Sequence, residues 1–148
     1  MAKFKFRLQS YLNIKEKLED QKKNEYGQAM AAVTREKQLK EKIDNDKAQS
    51  IDHWKEKISQ RVDPLSCQRY NAYISLLKQK STEQQKVVIK AEKQAEIKRN
   101  ELVESMQERK MLDILKEKDH VTFIKEEQQA EQKMVDEIVS YRYNNREE

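Results

Sequence analysis

Val62-Asp63-Pro64-Leu65-Ser66 is the stretch whose reading decides the fold. A proline lacks a backbone N–H and pushes the residue before it out of the α region, so a helix cannot run through Pro64 from behind. Proline is favoured, however, at the first position of a new helix, with Asp63 ahead of it as N-cap and Ser66 as an alternative cap. The first helix is therefore predicted to end near Arg61 and the second to begin close to Pro64. Other punctuation is nearly absent, since the chain of 148 residues holds one glycine, Gly27, and this single proline.

Both sides of the break carry apolar residues at coiled-coil spacing. Alternating steps of four and three from Phe4 give Phe4, Leu8, Tyr11, Lys15, Leu18, Lys22, Glu25, Ala29, Ala32, Glu36, Leu39 and Ile43, of which eight are apolar. That share is well above the 36% of the whole chain, and it reads as a heptad seam. Lys47 and Ile51 then follow at two successive steps of four, before Trp54 and Ile58, which predicts a stutter in the supercoil. From Tyr70 the same stepping gives Ile74, Leu77, Ser81, Gln84, Val88, Ala91, Ala95, Lys98, Leu102, Ser105, Arg109 and Leu112. The stripe broadens through Leu115, Phe123 and Ile124 and resumes at Met134, Val135, Ile138 and Val139. Polar seam positions such as Lys22, Glu25, Ser81, Gln84 and Lys98 lower stability but fix register.

A fold-back at Pro64 buries both seams against each other, and a continuous rod dimerising in parallel is the alternative. The expected architecture is all-α: two long helices forming an antiparallel coiled-coil hairpin in one domain, 1–148, with helix over 4–61, turn at 62–66, helix over 67–141 and a frayed tail at 142–148. The fold-back sets Trp54 near Ile74 and Tyr73, Leu18 near Arg109 to Leu112, and Phe4 near Phe123 and Ile124. With roughly 55–60 residues in the first helix and roughly 75–80 in the second, at about 1.5 Å each, residues after about 127 overhang without an internal partner. The overhang keeps Met134, Val135, Ile138, Val139 and Tyr141 at helical spacing, as a partner-binding stripe does. The competing reading is a frayed tail with incidental apolar residues.

Composition agrees with a thin helical body. Charged residues are 39% of the chain, against a usual share of about 25%. The apolar 36% is too little for a globular core and enough for a seam. Thirty-one basic residues against 27 acidic ones leave a net charge of +4, with the signs interspersed along the chain. A nucleic-acid binder carries a one-sided basic face, so no nucleic-acid partner is expected. No apolar run approaches the ~18–20 residues of a membrane span. The start, Met1-Ala2-Lys3-Phe4-Lys5-Phe6-Arg7, lacks the apolar core of a signal peptide, and Cys67 has no second cysteine to pair with. A cytoplasmic location is expected.

Catalytic chemistry finds no constellation. His53 and His120 lie far apart, no spacing completes a metal site, and no glycine-rich phosphate loop exists. No enzyme activity, metal or cofactor is expected. His53, beside Trp54, is expected to be partly packed and His120 solvated, and Cys67 lacks a neighbouring base to activate it. Pairs such as Glu19 with Lys23 and Glu36 with Lys40 read as a solvated helix face. Two features remain. Trp54, Tyr70, Tyr73, Leu76 and Leu77 cluster around the turn, where Tyr73 and Leu76 flank the seam, either as a docking face or as its cover. The basic start (Lys3, Lys5, Arg7) lies alongside the overhang.

The opening Phe4-Lys5-Phe6-Arg7-Leu8-Gln9-Ser10-Tyr11-Leu12, followed by Ile14-Lys15-Glu16, resembles that of the FliJ family of flagellar export proteins. The block Glu131-Gln132-Lys133-Met134-Val135-Asp136-Glu137-Ile138 is similar to that family's charged close, although alanine often stands where this chain has Ile138. Arg69-Tyr70-Asn71-Ala72-Tyr73-Ile74 has the expected place after the turn. The resemblance implies a component of the flagellar type III export apparatus that is similar to the central stalk of rotary ATPases. Its implied partners are the export ATPase ring, the export gate protein and substrate chaperones. It also implies a cytoplasmic location, peripheral at the cytoplasmic face of the inner membrane, reached through partners without direct insertion. Carried onto this sequence, the ring contact falls on Phe4, Phe6, Arg7, Leu8 and Tyr11 with Glu131, Met134, Val135, Ile138 and Tyr141. The gate contact falls on Tyr70, Tyr73, Leu77 and Gln84. A self-associating structural or tethering coil is the alternative, and a nucleic-acid-associated coil a further one.

Overall fold

The structure is a computed structural model and describes residues 2–146. Two helices make up nearly all of it: α1 over Gln9–Ile58 and α2 over Pro64–Asn144. At the break the Asp63 carbonyl accepts the first helical bond of α2 from the Cys67 N–H at 3.1 Å. That is the geometry of an N-cap residue followed by proline at the first helical position. The preceding helix closes three residues sooner than the sequence pattern predicts. Gln60 N–H bonds to the Lys57 carbonyl at 3.1 Å, and the Ser59 hydroxyl donates to the Glu56 carbonyl at 2.6 Å. Both bonds satisfy carbonyls that a helix end leaves open.

The other boundaries also shift. Residues 2–6 are not helical, and α1 starts at Gln9 instead of Phe4, its first bond running from Leu12 N–H to the Leu8 carbonyl at 2.8 Å. The reason is legible in the residues. Phe4 and Phe6 alternate with Lys3, Lys5 and Arg7, and an alternation of period two suits an extended chain, which puts both rings on one side. At its other end α2 continues three residues past 141. Of the tail predicted to fray, Glu147 and Glu148 lie outside the described residues.

The chain separates into two compact units: unit 1 takes Met1–Asp20 with Glu104–Glu148, and unit 2 takes Gln21–Val103. In unit 2, α1 and α2 pack antiparallel about the turn, as a coiled-coil hairpin. The α2 positions predicted for its seam, from Tyr70 through Ile74, Leu77, Ser81, Gln84, Val88, Ala91, Ala95, Lys98 and Leu102, are all buried or half-buried. The facing line on α1 is Lys22, Tyr26, Ala29, Val33, Glu36, Lys40, Ile43, Lys47, Ser50 and Trp54. After Ile43, Lys47, Ser50, Ile51 and Trp54 are all half-buried, so both the regular step to Ser50 and the predicted step of four to Ile51 face the seam. Trp54 lines one groove with Tyr73, as predicted, and stacks on Tyr70, one turn before Ile74, with ring centroids 4.4 Å apart and planes at 8°. The helices therefore pair one turn tighter to the break than predicted.

In unit 1, Phe6, Leu12 and Leu112 form a buried cluster with Phe4 and Leu8 packed against it. Phe4 meets Phe123 at 5.6 Å between ring centroids, as the fold-back predicts, and meets the His120 ring edge-on at 5.0 Å. On α1 the buried residue is Leu12, 2% exposed, whereas the predicted seam residue Tyr11 is 48% exposed.

Candidate functional site

Three kinds of surface are available for chemistry or docking: the polar layers of the seams, the open end of unit 1, and a groove beside the turn in unit 2. The polar layers are internally paired. In unit 2, Lys22, Glu25, Lys98 and Glu101 close a ring of four charges. Lys22 reaches Glu101 at 3.1 Å and Glu25 at 3.4 Å, and Lys98 reaches both carboxylates at 3.4 Å. The Lys22 bond holds the Glu101 carboxyl below its ordinary value and in return raises the Lys22 ammonium. Partial burial pushes the Glu25 carboxyl up, but the bonds from Lys98 and Lys22 outweigh it and leave its pKa lowered. Further along, Gln84 donates to the Glu36 carboxylate at 2.6 Å and to its carbonyl at 3.0 Å. Ser81 donates to Asp44 at 2.6 Å. Lys40 bonds to Asp44 at 2.8 Å, turning away from the helix-face pairing with Glu36, and together Lys40 and Ser81 hold Asp44 below its usual range.

Unit 1 has its own polar layer. Arg109 donates to Glu19, which is almost fully buried, and to Asp113 at 2.5 Å. Lys15 bonds to Glu108 at 2.7 Å, and that bond raises its pKa. Ser105 is buried and its hydroxyl has no hydrogen-bond partner. Apart from that hydroxyl the charged members of the layer are paired, and paired layers of this kind fix register. Among the described residues no group of His, Cys, Asp and Glu could hold a metal ion.

The predicted ring-contact residues divide sharply. Phe6 is buried, and Phe4 and Leu8 pack on its cluster, so these three support the end from within. Arg7 and Tyr11 face solvent, as do Lys3 and Lys5. Every residue from Gln128 on α2 to Arg146 just beyond it is exposed, including Glu131. Met134, Val135, Ile138 and Tyr141 are 65%, 53%, 49% and 69% exposed. Ala2 reaches α2 near its predicted overhang, sharing a shallow groove with Phe123, Ile124, Glu127, Gln128 and Glu131. The extended start reaches that far because a strand-like chain rises about 3.3 Å per residue, against about 1.5 Å in a helix.

The predicted gate-contact residues divide too. Leu77 and Gln84 lie in the seam and Tyr70 is half-buried under Trp54, leaving Tyr73 as the exposed member, with Leu76 also exposed beside it. Tyr73 and Trp54 line a groove of about 390 Å³ with His53, Lys57 and Arg69. His53 is exposed in this groove, not partly packed as its neighbour Trp54 suggested, while His120 is exposed as expected and its ring also meets Phe4. Lys57 and Arg69 were missed by the sequence reading. The available signal was that they fall within one turn of the aromatic pair on either side of the break.

No helix is long and apolar enough to cross a membrane among the described residues. No curated protein and no solved structure matches the chain. A protein-family model, described as flagellar FliJ protein, matches residues 4–148 and so spans nearly the whole sequence. The extended F-x-F start, the two-helix body and the charged close all fall inside that match, and the chain belongs to the FliJ family, which makes it a flagellar export-related protein.

Proposed function

We propose that this chain is a non-enzymatic component of the flagellar export apparatus that docks on the export ATPase ring through the open end of unit 1. The observation that carries the reading is the run of α2 from Gln128 to Asn144, exposed on all sides yet apolar at Met134, Val135, Ile138, Val139 and Tyr141. A helix that keeps such a stripe with nothing of its own chain covering it is suited to a protein partner. Glu131 lies one turn before the stripe and begins its polar rim, and Arg7 and Tyr11 are exposed further back in the same unit. The exposed face of unit 2 around Tyr73 and Leu76 is assigned to the export gate protein, and substrate chaperones complete the partner set. The chain works in the cytoplasm, peripheral at the inner membrane through these partners.

The test is binding of the purified chain to the export ATPase ring. Truncation after residue 127, and separately the double variant Val135→Asp/Ile138→Glu, should abolish ring binding and leave the thermal unfolding midpoint within a degree or two, because exposed residues contribute little to stability. Ring binding that survives both changes would sink the assignment. For the gate face, Tyr73→Ala/Leu76→Ala should weaken gate binding without loss of helicity. A self-associating tether is the competing reading, and the same stripe would then hold a second copy. A concentration-independent monomer in sedimentation excludes it.

A further inference from the structure

The groove beside the turn has a chemistry of its own. Trp54 and Tyr70 lie face to face, and stacked rings of this kind make a rigid apolar wall. Tyr73 adds a half-exposed ring, and Lys57 and Arg69 stand around the same space with no carboxylate among the lining residues. Five cations of the seams, Lys15, Lys22, Lys40, Lys98 and Arg109, are ion-paired. Lys57 and Arg69, by contrast, make no ion pair and no side-chain hydrogen bond among the described residues. Two uncompensated cations over an aromatic wall form an incomplete interaction, and a carboxylate completes it. Arg69 can take a carboxylate by both nitrogens, and its flat guanidinium can also lie over an aromatic side chain.

The groove does not end at the aromatic pair. A second hollow of about 400 Å³ shares Ser50, His53 and Tyr73 with it and extends along α1 to Gln49 and Asp46. The combined channel is basic beside the turn and acidic at its far end. That polarity suits a peptide chain and opposes a polyphosphate, whose far charges would meet Asp46. With Trp54 and Tyr70 only 4.4 Å apart, no gap is left between them for a base to enter.

We infer that this channel binds an acidic peptide segment bearing an aromatic side chain, with its carboxylates on Lys57 and Arg69 and its aromatic group beside Tyr73. The partner is a polypeptide whose charge runs from acidic near the turn to basic near Asp46. As an account of what the Tyr73 face recognises, the inference rests on the gate-contact reading above, and it names the chemistry of the bound segment.

The test uses the full chain and two short fluorescein-labelled peptides, read by fluorescence anisotropy. One carries two glutamates, then a tryptophan, then a lysine; the other has each charge reversed around the same tryptophan. The acidic-first peptide should bind at least about tenfold more tightly, and binding should weaken as salt rises. Lys57→Glu/Arg69→Glu, a change at two exposed positions, should weaken it by about tenfold or more and shift the preference toward the reversed peptide. Equal affinities, an unaltered affinity in the charge-reversed variant, or no binding of the acidic peptide overturns the inference. So does a nucleoside diphosphate that binds more tightly than the peptide and displaces it.

Gate binding is measured in parallel, so that the two readings fail separately. Gate binding that survives Tyr73→Ala/Leu76→Ala, together with the expected peptide result, overturns the gate assignment and keeps the channel's chemistry. Gate binding lost in Tyr73→Ala/Leu76→Ala but unchanged in Lys57→Glu/Arg69→Glu does the reverse.

Discussion

Around Leu12, unit 1 closes on carbon: Phe6, Leu12 and Leu112 exclude water, and Phe4 and Leu8 seal the rim. Around Lys22, unit 2 closes on charge, where two lysines and two glutamates alternate in a ring and each ion stays partly in contact with water. The two solutions differ in what they supply. Apolar burial contributes about 25 cal/mol per Å² and is indifferent to register. Partly exposed ion pairs contribute little stability, but a slip of three residues would set Glu25 against Glu101 in place of Lys98. The difference teaches that this fold takes its stability locally, from small apolar clusters, and its alignment from polar layers.

The largest effect should follow from breaking the carbon side of that contrast. Leu12→Ala removes the most buried side chain and is expected to destabilise unit 1 by about 2–4 kcal/mol, the usual range for a buried leucine. Hydrogen exchange distinguishes the regions. Protection should decrease over 9–20 and 104–116 and change much less over 70–95. Equal losses in both units would mean that their stabilities are not separable, and the contrast would fail.

The Glu19–Arg109 pair tests the polar side where it is most buried. Arg109→Met removes the principal cation from a carboxylate that is 4% exposed, and should lower the unfolding midpoint by several degrees. Glu19→Leu/Arg109→Met removes both charges together and should recover most or all of that loss, because a well-packed apolar pair replaces a desolvated one. If the double variant is no better than the single one, the pair stabilises through more than its own charge balance.

How much of this was readable in advance depends on the helix. On α2 the seam from Tyr70 to Leu112 could be read residue by residue, because the Asp63-Pro64 cap fixes where the helix starts and every position at the stepped spacing is buried or half-buried. On α1 the line was read one residue off at alternate positions: Tyr11 for Leu12, Leu18 for Glu19, Glu25 for Tyr26, Ala32 for Val33 and Leu39 for Lys40. A single helix scored by apolarity prefers Leu18 and Leu39. The structure prefers Glu19 because Arg109 already stands in the facing seam, which only the pairing reveals. The extended start was missed for a similar reason. Phe4 and Leu8 satisfy a helical step, and the alternation with Lys3, Lys5 and Arg7 was the stronger signal. Of the docking surfaces, the overhang followed from helix lengths alone. The groove needed the Trp54–Tyr70 stack, which depends on register to within one turn.

Acid should act on unit 2 through its ion-pair layers. Glu25, Glu101 and Asp44 have folded-state pKa values below their ordinary 4.5, 4.5 and 3.8. A depressed carboxylate stabilises the fold above its unfolded value and loses that contribution as pH falls through the folded one. Stability is therefore expected to be level from neutral pH to about 5 and to decrease as pH falls below about 4.5. Lys22→Met should flatten that acid limb, since the Lys22 bond is the main cause of the Glu101 shift and a contributor to that of Glu25. Circular dichroism melts across the pH range check both statements, and an unchanged limb in the variant would remove the ring of charges as its source.

The smallest effects are two stabilising substitutions, one in each unit, that refine the comparison without disturbing either cluster. Ser105→Ala in unit 1 deletes a buried hydroxyl that lacks a partner and should add up to about 1 kcal/mol, since an unsatisfied buried group is itself costly. Gly27→Ala in unit 2 places a methyl group where nothing lies within 4 Å and should add about 0.5–1 kcal/mol by reducing the freedom of the unfolded helix. If stability is local, exchange protection should rise for the first over 104–116 and for the second over 22–36, with little effect on the other unit. The two gains should then add in the double variant to within about 0.5 kcal/mol, as distant independent sites do. A larger departure from additivity would show that the helices transmit strain between clusters that otherwise differ in chemistry, and it would require treating α1 and α2 as single cooperative elements.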